Sequence, residues 1–126
     1  MKPVVYDAGV LIAAERSERH IWAEHRVRLE SGIVPLVPSP VVAQVSRSPN
    51  QVELRRLLRG CEIIAFTEAA AHRAGALLGK ARSRDVVDAA VVGLAIERRA
   101  DIQSGDGEDL RRLLAAAGAK LRVLSV

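Results

Sequence analysis

The sequence predicts an α/β fold: a parallel sheet with helices on both faces. Two observations carry this. Five short β-rich runs alternate with longer helical patterns, an order that parallel crossover units require. Turn and capping residues punctuate the junctions, so each run has a start and a stop. Right-handed crossovers follow almost by default.

The elements read in order. Pro3–Asp7 is the first strand, with helices over Ala8–Arg16 and His20–Ser31. Gly32 precedes a second strand over Ile33–Val37, which Pro38-Ser39-Pro40 closes. Ser39 reads as an N-cap with Pro40 at the first helical position, opening a helix to about Arg47. Ser48-Pro49-Asn50 breaks it. Gln51–Arg59 is a further helix that Gly60 ends as a C-cap. Cys61–Phe66 is the third strand, and Thr67 caps a long helix over Glu68–Arg82. Val86–Ala100 is an apolar helix with arginines in its last turn. Asp101–Ser104 is a weak fourth strand. Asp106–Ala117 is a helix ended by Gly118, and Leu121–Val126 is the fifth strand.

The length, 126 residues, suits one domain over 1–126. Hydrophobic residues at 49% and charged residues at 27% indicate a globular chain able to bury a core. The aromatics are Tyr6, Trp22 and Phe66, so the core rests on Ala, Val, Leu and Ile. So few aromatics argue against a stacking platform for single-stranded nucleic acid. Cys61 stands alone, which excludes a disulfide framework and a thiolate zinc cage. No apolar run approaches the roughly 18 residues of a membrane span. Asp7 interrupts the stretch that a signal peptide would need. A cytoplasmic protein is expected. The net charge is +4, and 16 of the 19 basic residues are arginine, the cation suited to phosphate or carboxylate. A polyanion or an acidic protein is the partner this suggests; a high-GC genome explains the arginines equally well.

Carboxylates hold most of the chemistry. Asp7 ends the first strand. Asp85 and Asp88 open the apolar helix, three apart and on one face. Asp106 follows the fourth strand, with Glu108 and Asp109 in the next turn. Each alone reads as a helix cap, Asp85 with Asp88 and Asp106 with Asp109. Together they gather where open parallel sheets bind ligands, beyond the carboxyl ends of the strands. Several carboxylates there repel one another unless a cation sits between them. A hard ion, Mg²⁺ or Mn²⁺, suits all-oxygen ligands and can activate water against a phosphodiester.

Four stretches carry a resemblance. They are Val4-Val5-Tyr6-Asp7-Ala8-Gly9-Val10-Leu11-Ile12-Ala13, Pro40-Val41-Val42-Ala43-Gln44-Val45-Ser46-Arg47, Asp85-Val86-Val87-Asp88-Ala89-Ala90-Val91-Val92 and Ser104-Gly105-Asp106-Gly107-Glu108-Asp109-Leu110. Their order and spacing resemble the PIN-domain ribonucleases, above all the VapC-type toxins of toxin–antitoxin pairs, also described as PilT N-terminus-like proteins. The resemblance implies a three-layer fold with a central parallel sheet of about four to five strands. It implies a metal-dependent endoribonuclease that uses Mg²⁺ or Mn²⁺, acts on RNA, is held off by a cognate antitoxin and forms a homodimer. Asp7, Asp88 and Asp106 then match the family's metal-binding acids, with Asp85 as an extra acid. The family's helix-three glutamate is Gln44 here, which offers a carbonyl oxygen without charge. This departure keeps a second reading open, a catalytically weak PIN module that only binds RNA or protein. Arg16 and Arg47, which follow the helices after Asp7 and through Gln44, are the candidate substrate-binding arginines.

Other chemistries find little support. His20, His25 and His72 do not share a helix face. No serine sits in a glycine-flanked elbow, and no glycine-rich phosphate loop occurs. A phospho-acceptor receiver domain needs a paired acid at the first strand, where Tyr6 stands.

Overall fold

The computed structural model describes residues 2–126. Five strands form one sheet in the order β3-β2-β1-β4-β5, and every neighbouring pair is parallel. The strands are β1 (Val4–Tyr6), β2 (Leu36–Pro38), β3 (Glu62–Ile64), β4 (Asp101–Ser104) and β5 (Val123–Ser125). The helices are α1 (Ala8–Glu15), α2 (Arg19–Glu30), α3 (Ser39–Val45), α4 (Val52–Arg59), α5 (Glu68–Ala81), α6 (Val86–Arg98) and α7 (Glu108–Ala116). Helices α1, α2 and α4 pack together on one face, and α5, α6 and α7 on the other. Helix α3 touches both α1 and α6 at the end of β2. The α/β reading, with its parallel sheet and two helical layers, is what the chain adopts.

The central strands are buried on both faces: Val5, Tyr6, Val37 and Ile102 have no exposed surface. Helix α6 is apolar nearly all round because it lies between the sheet and its neighbours α5 and α7. The buried tyrosine is satisfied. Tyr6 Oη lies 2.9 Å from His25 Nδ1 and accepts from Arg28 Nη1 at 3.1 Å; Arg28 also donates to Gln103 Oε1 at 2.8 Å. Burial and the nearby Arg28 charge lower the His25 pKa, so this ring sits neutral against the sheet. Among the described residues no helix is long and apolar enough to cross a membrane.

Several boundaries differ from the sequence reading for local reasons. Strand β2 begins at Leu36, not at Ile33. Gly32, with φ +82°, ends α2 in a left-handed turn, and the Ile33 amide bonds back to Arg28 O at 2.8 Å. Ile33 and Val34 are spent on leaving that helix. Ser39 does not cap α3. It is the helix's first residue, Pro38 holds the N-cap position, and Ser39 Oγ accepts from the Phe66 amide at 3.2 Å. Asp106 likewise leaves the N-cap position of α7 to Gly107. Thr67 and Asp85 cap as their sequence positions suggest, accepting from Ala70 N and Asp88 N respectively.

The amino edge of the sheet carries one buried acid. Asp101 accepts from Arg122 Nη2 and from Lys2 Nζ at 3.3 Å, while it is only 4% exposed. Burial pushes its pKa up, but those two hydrogen bonds and their charges outweigh it, and the net shift is down. This ion cluster stands at the opposite edge from the other acids of interest, which follow the carboxyl ends of the strands.

Candidate functional site

The register between β1 and β4 builds the site. Val4, Val5 and Tyr6 pair with Asp101, Ile102 and Gln103, so the next step along the sheet sets Asp7 beside Ser104. The Asp7 amide continues the ladder to Gln103 O at 3.0 Å. Asp7 occupies the N-cap position of α1 but its side chain makes no capping bond. Its Oδ2 accepts from Ser104 Oγ at 2.8 Å instead. Both residues are nearly buried, at 9% and 3% exposed. Ser104 Oγ also accepts from the Asp106 amide at 3.1 Å, with Asp106 O a further 3.1 Å contact. The hydroxyl has one proton, and the shorter, charge-assisted contact to the carboxylate takes it. Ser104 thus fixes one oxygen of Asp7 and the start of the β4–α7 loop together.

Asp88 sits in the first turn of α6 on the same edge. Its carboxyl is pushed up to about 7. Partial burial is the largest cause, followed by the charges of Asp85, Asp7 and Asp109 and by a hydrogen bond with Asp85. The charges of Asp85 and Asp7 thus add to the effect of burial at Asp88. Asp85 spends its Oδ1 on the Asp88 amide at 3.0 Å, so it anchors the start of α6 as well as adding charge. From the first turn of α7, Asp109 adds its charge to Asp88. Asp106 is exposed, its Oδ1 accepting from the Glu108 amide at a loose 3.4 Å. The family resemblance points to Asp106, and the sequence alone gives Asp109 and Ser104 no role in the site. The signal for Ser104 is its place two residues before Asp106 at the end of a strand.

The remaining candidates are Gln44, Arg16 and Arg47. Gln44 is exposed near the end of α3. Arg16 is the C-cap of α1, an eight-residue helix that begins after Asp7, so about 12 Å of helix separates them. Arg47 is exposed and folds back to donate to Ala43 O and Ser46 O at 2.9 and 3.0 Å, closing the end of α3.

The donor set matches a hard dication. The ligands offered are carboxylates with a neighbouring hydroxyl, which suits Mg²⁺ or Mn²⁺ and not softer metals. The unneutralised repulsion at Asp88 is what a bound cation would relieve. Among the described residues, no three His, Cys, Asp or Glu side chains are drawn together tightly enough to cage an ion. Mg²⁺ does not require this, since it is commonly held by one or two carboxylates and keeps several waters. The residues fit such an ion.

Comparison with known proteins agrees with this architecture. No curated protein matches the sequence. A chain of the VapBC2 complex of Rickettsia felis, solved with a DNA fragment from its promoter, superposes with a TM-score of 0.72 at 15% identity, covering 98% of both chains. A chain of a toxin–antitoxin complex from Klebsiella pneumoniae superposes with a TM-score of 0.62 at 18% identity, covering 84% of this chain and 88% of that one. At these identities the likeness is one of fold. The model of the PIN domain matches residues 4–115, nearly the whole of the sheet and its helices, and the chain belongs to the PIN-domain family.

Proposed function

We propose that the chain is a Mg²⁺- or Mn²⁺-dependent endoribonuclease, the toxin of a VapBC-type pair, acting in the cytoplasm on RNA phosphodiesters. One observation carries the reading. Asp7 follows β1 and Asp88 stands in the first turn of α6, and the charge of Asp7, after burial and the charge of Asp85, adds to what pushes the Asp88 carboxyl up to about 7. Asp7 and Asp88 would hold the ion, with Asp106, Asp109 and Asp85 adding negative charge around it. When bound, such an ion would supply an acidified water and positive charge beside the reacting phosphate. The rest is the chain's own work. Ser104 keeps Asp7 aimed, and the Asp85 cap fixes the first turn of α6, which fixes Asp88. The complexes that share this fold support a cognate antitoxin as partner, and a homodimer is part of the same proposal. The test is direct. The purified protein cuts single-stranded RNA when Mn²⁺ is added and not in chelator, and Asp7→Asn removes the activity. Equal cutting by wild type and Asp7→Asn would end the proposal.

Gln44 favours a second reading, a PIN module that binds without cutting. The family's glutamate is replaced by a neutral side chain that here faces solvent. Under the nuclease reading, Gln44→Glu restores a charged oxygen with little change in volume. Mn²⁺ affinity then rises about tenfold, or about 1.4 kcal/mol, and cleavage at limiting Mg²⁺ rises with it. Calorimetric titration of both forms checks this. Unchanged affinity would place Gln44 outside the metal shell. A wild type that binds RNA and never cuts it would favour the binding module.

A further inference from the structure

The first turn of α1 meets the β4–α7 loop backbone to backbone. A Cβ on Gly9 would stand 2.6 Å from Gly105 N and 3.0 Å from Gly105 Cα, with Val126 Cγ2 at 3.4 Å. The two nearest atoms are main chain, so no side chain can swing aside to make room. The contact is one-sided: a Cβ on Gly105 would meet only Gly9 Cα, at an ordinary 3.6 Å. Gly9 is not needed for an unusual backbone, since the positive-φ glycines among the described residues are Gly32 and Gly118. Nor does glycine help α1, being a poor helix former. Space is what it provides.

That space lies inside the acidic site. Gly9 is two residues after Asp7, and Gly105 stands between Ser104 and Asp106. The same loop carries the Ser104 hydroxyl that bonds Asp7 at 2.8 Å, and it leads into the turn that holds Asp109. We propose that Gly9 is a positioning residue: its missing Cβ sets how closely the β4–α7 loop seats beside Asp7, and hence how Asp7 is aimed at a cation shared with Asp88. The proposal rests on the metal-dependent reading above. With Gly9→Ala the loop must retreat by roughly 0.8 Å to bring the 2.6 Å approach to an ordinary 3.4 Å contact. Ser104 moves with it. Misplacement on the scale of 1 Å can cost a site about 10²-fold.

The experiment titrates four proteins with Mn²⁺ by calorimetry and melts each without metal. They are the wild type, Gly9→Ala, Gly105→Ala, and a variant with one glycine inserted between Gly105 and Asp106. Asp88→Asn serves as the control with a disabled site. Gly9→Ala is expected to lose about tenfold or more in Mn²⁺ affinity, while its metal-free form still melts in one cooperative transition, at a temperature lowered by several degrees. Gly105→Ala titrates as wild type. The insertion loosens the loop without adding a Cβ and weakens binding as Gly9→Ala does. Wild-type affinity in Gly9→Ala overturns the inference and leaves the metal reading intact. Should Gly9→Ala fail to fold, the insertion decides alone, and wild-type affinity there overturns the inference equally. A wild type that takes up no Mn²⁺ overturns the metal reading, and the role of Gly9 falls with it.

Discussion

Replacing Asp88 with asparagine is expected to stabilise the metal-free protein at pH 8 and to reduce RNA cleavage by roughly 10²-fold or more, the loss that follows when several kcal/mol of charge stabilisation disappear. The stability half follows from linkage. The folded carboxyl titrates at about 7, against 3.8 for an unperturbed aspartate. The folded state therefore binds this proton more tightly than the unfolded state does. Stability is unaffected by Asp88 below about pH 4, declines as pH rises from about 4 to about 7, and is lowered by a constant amount above that. Asparagine removes the decline. A shift of about three units corresponds to about 4 kcal/mol at face value. Solvent screening at a half-buried site reduces this to about 1–2 kcal/mol. The dipole of α6 opposes the change, because a negative charge in a first turn gains about 0.3–1 kcal/mol, but burial and repulsion outweigh it. Chemical denaturation of both forms at pH 5 and pH 8, with and without Mn²⁺, tests the argument. Mn²⁺ should stabilise wild type at pH 8 and leave the variant unmoved. A variant less stable than wild type at pH 8 would show that the Asp88 charge is held by favourable contacts.

How much of this was legible beforehand depended on distance along the chain. Many rules that act within four residues read correctly, though Gly32 ends α2 in a turn that takes Ile33 from β2, and Gly107 takes the N-cap that Asp106 was expected to hold. Thr67 and Asp85 cap the helices they precede, Gly118 ends α7, and the apolar run Val86–Ala100 forms the central helix of its layer. Readings failed where a distant partner claims a side chain. Ser39 looks like a cap from its own neighbours, yet its hydroxyl serves the Phe66 amide, 27 residues away. Asp7 looks like a cap for the same reason, yet it is held by Ser104, 97 residues away. The family resemblance points to Asp106, which directly follows a strand end. The charge that reaches Asp88 from Asp109 depends instead on how α7 leaves the loop, which pattern alone does not encode. The close approach of Gly9 to Gly105 is of the same kind, since a lone glycine in a helix gives no hint of the backbone it faces.

Ser104→Ala is expected to cost the protein on both counts, stability and cleavage. The hydroxyl is 3% exposed and joins three groups: Asp7 Oδ2, which accepts its proton, and the amide and carbonyl of Asp106. Alanine leaves a nearly buried carboxylate oxygen and a backbone amide each short of a partner. A buried polar group stripped of its hydrogen bond costs about 1–3 kcal/mol. Water entering at the exposed Asp106 side moderates this, so a loss of about 1–2 kcal/mol is expected. Cleavage should fall by about 10²-fold, because Asp7 can then rotate and the β4–α7 loop is no longer tied to it. Ser104→Thr keeps the hydroxyl and separates the two effects, restoring cleavage to within about tenfold of wild type if its added methyl is accommodated. Urea unfolding reads the first effect, and single-turnover cleavage at saturating Mn²⁺ reads the second. If Ser104→Ala loses stability but cuts RNA as fast as wild type, Ser104 is only a structural bond between β4 and its loop. If cleavage falls while the unfolding midpoint holds, the hydroxyl acts on Asp7 alone. The expected result, a loss of both with threonine restoring both, requires that one hydrogen bond orient the metal-binding carboxylate and hold the loop that faces it.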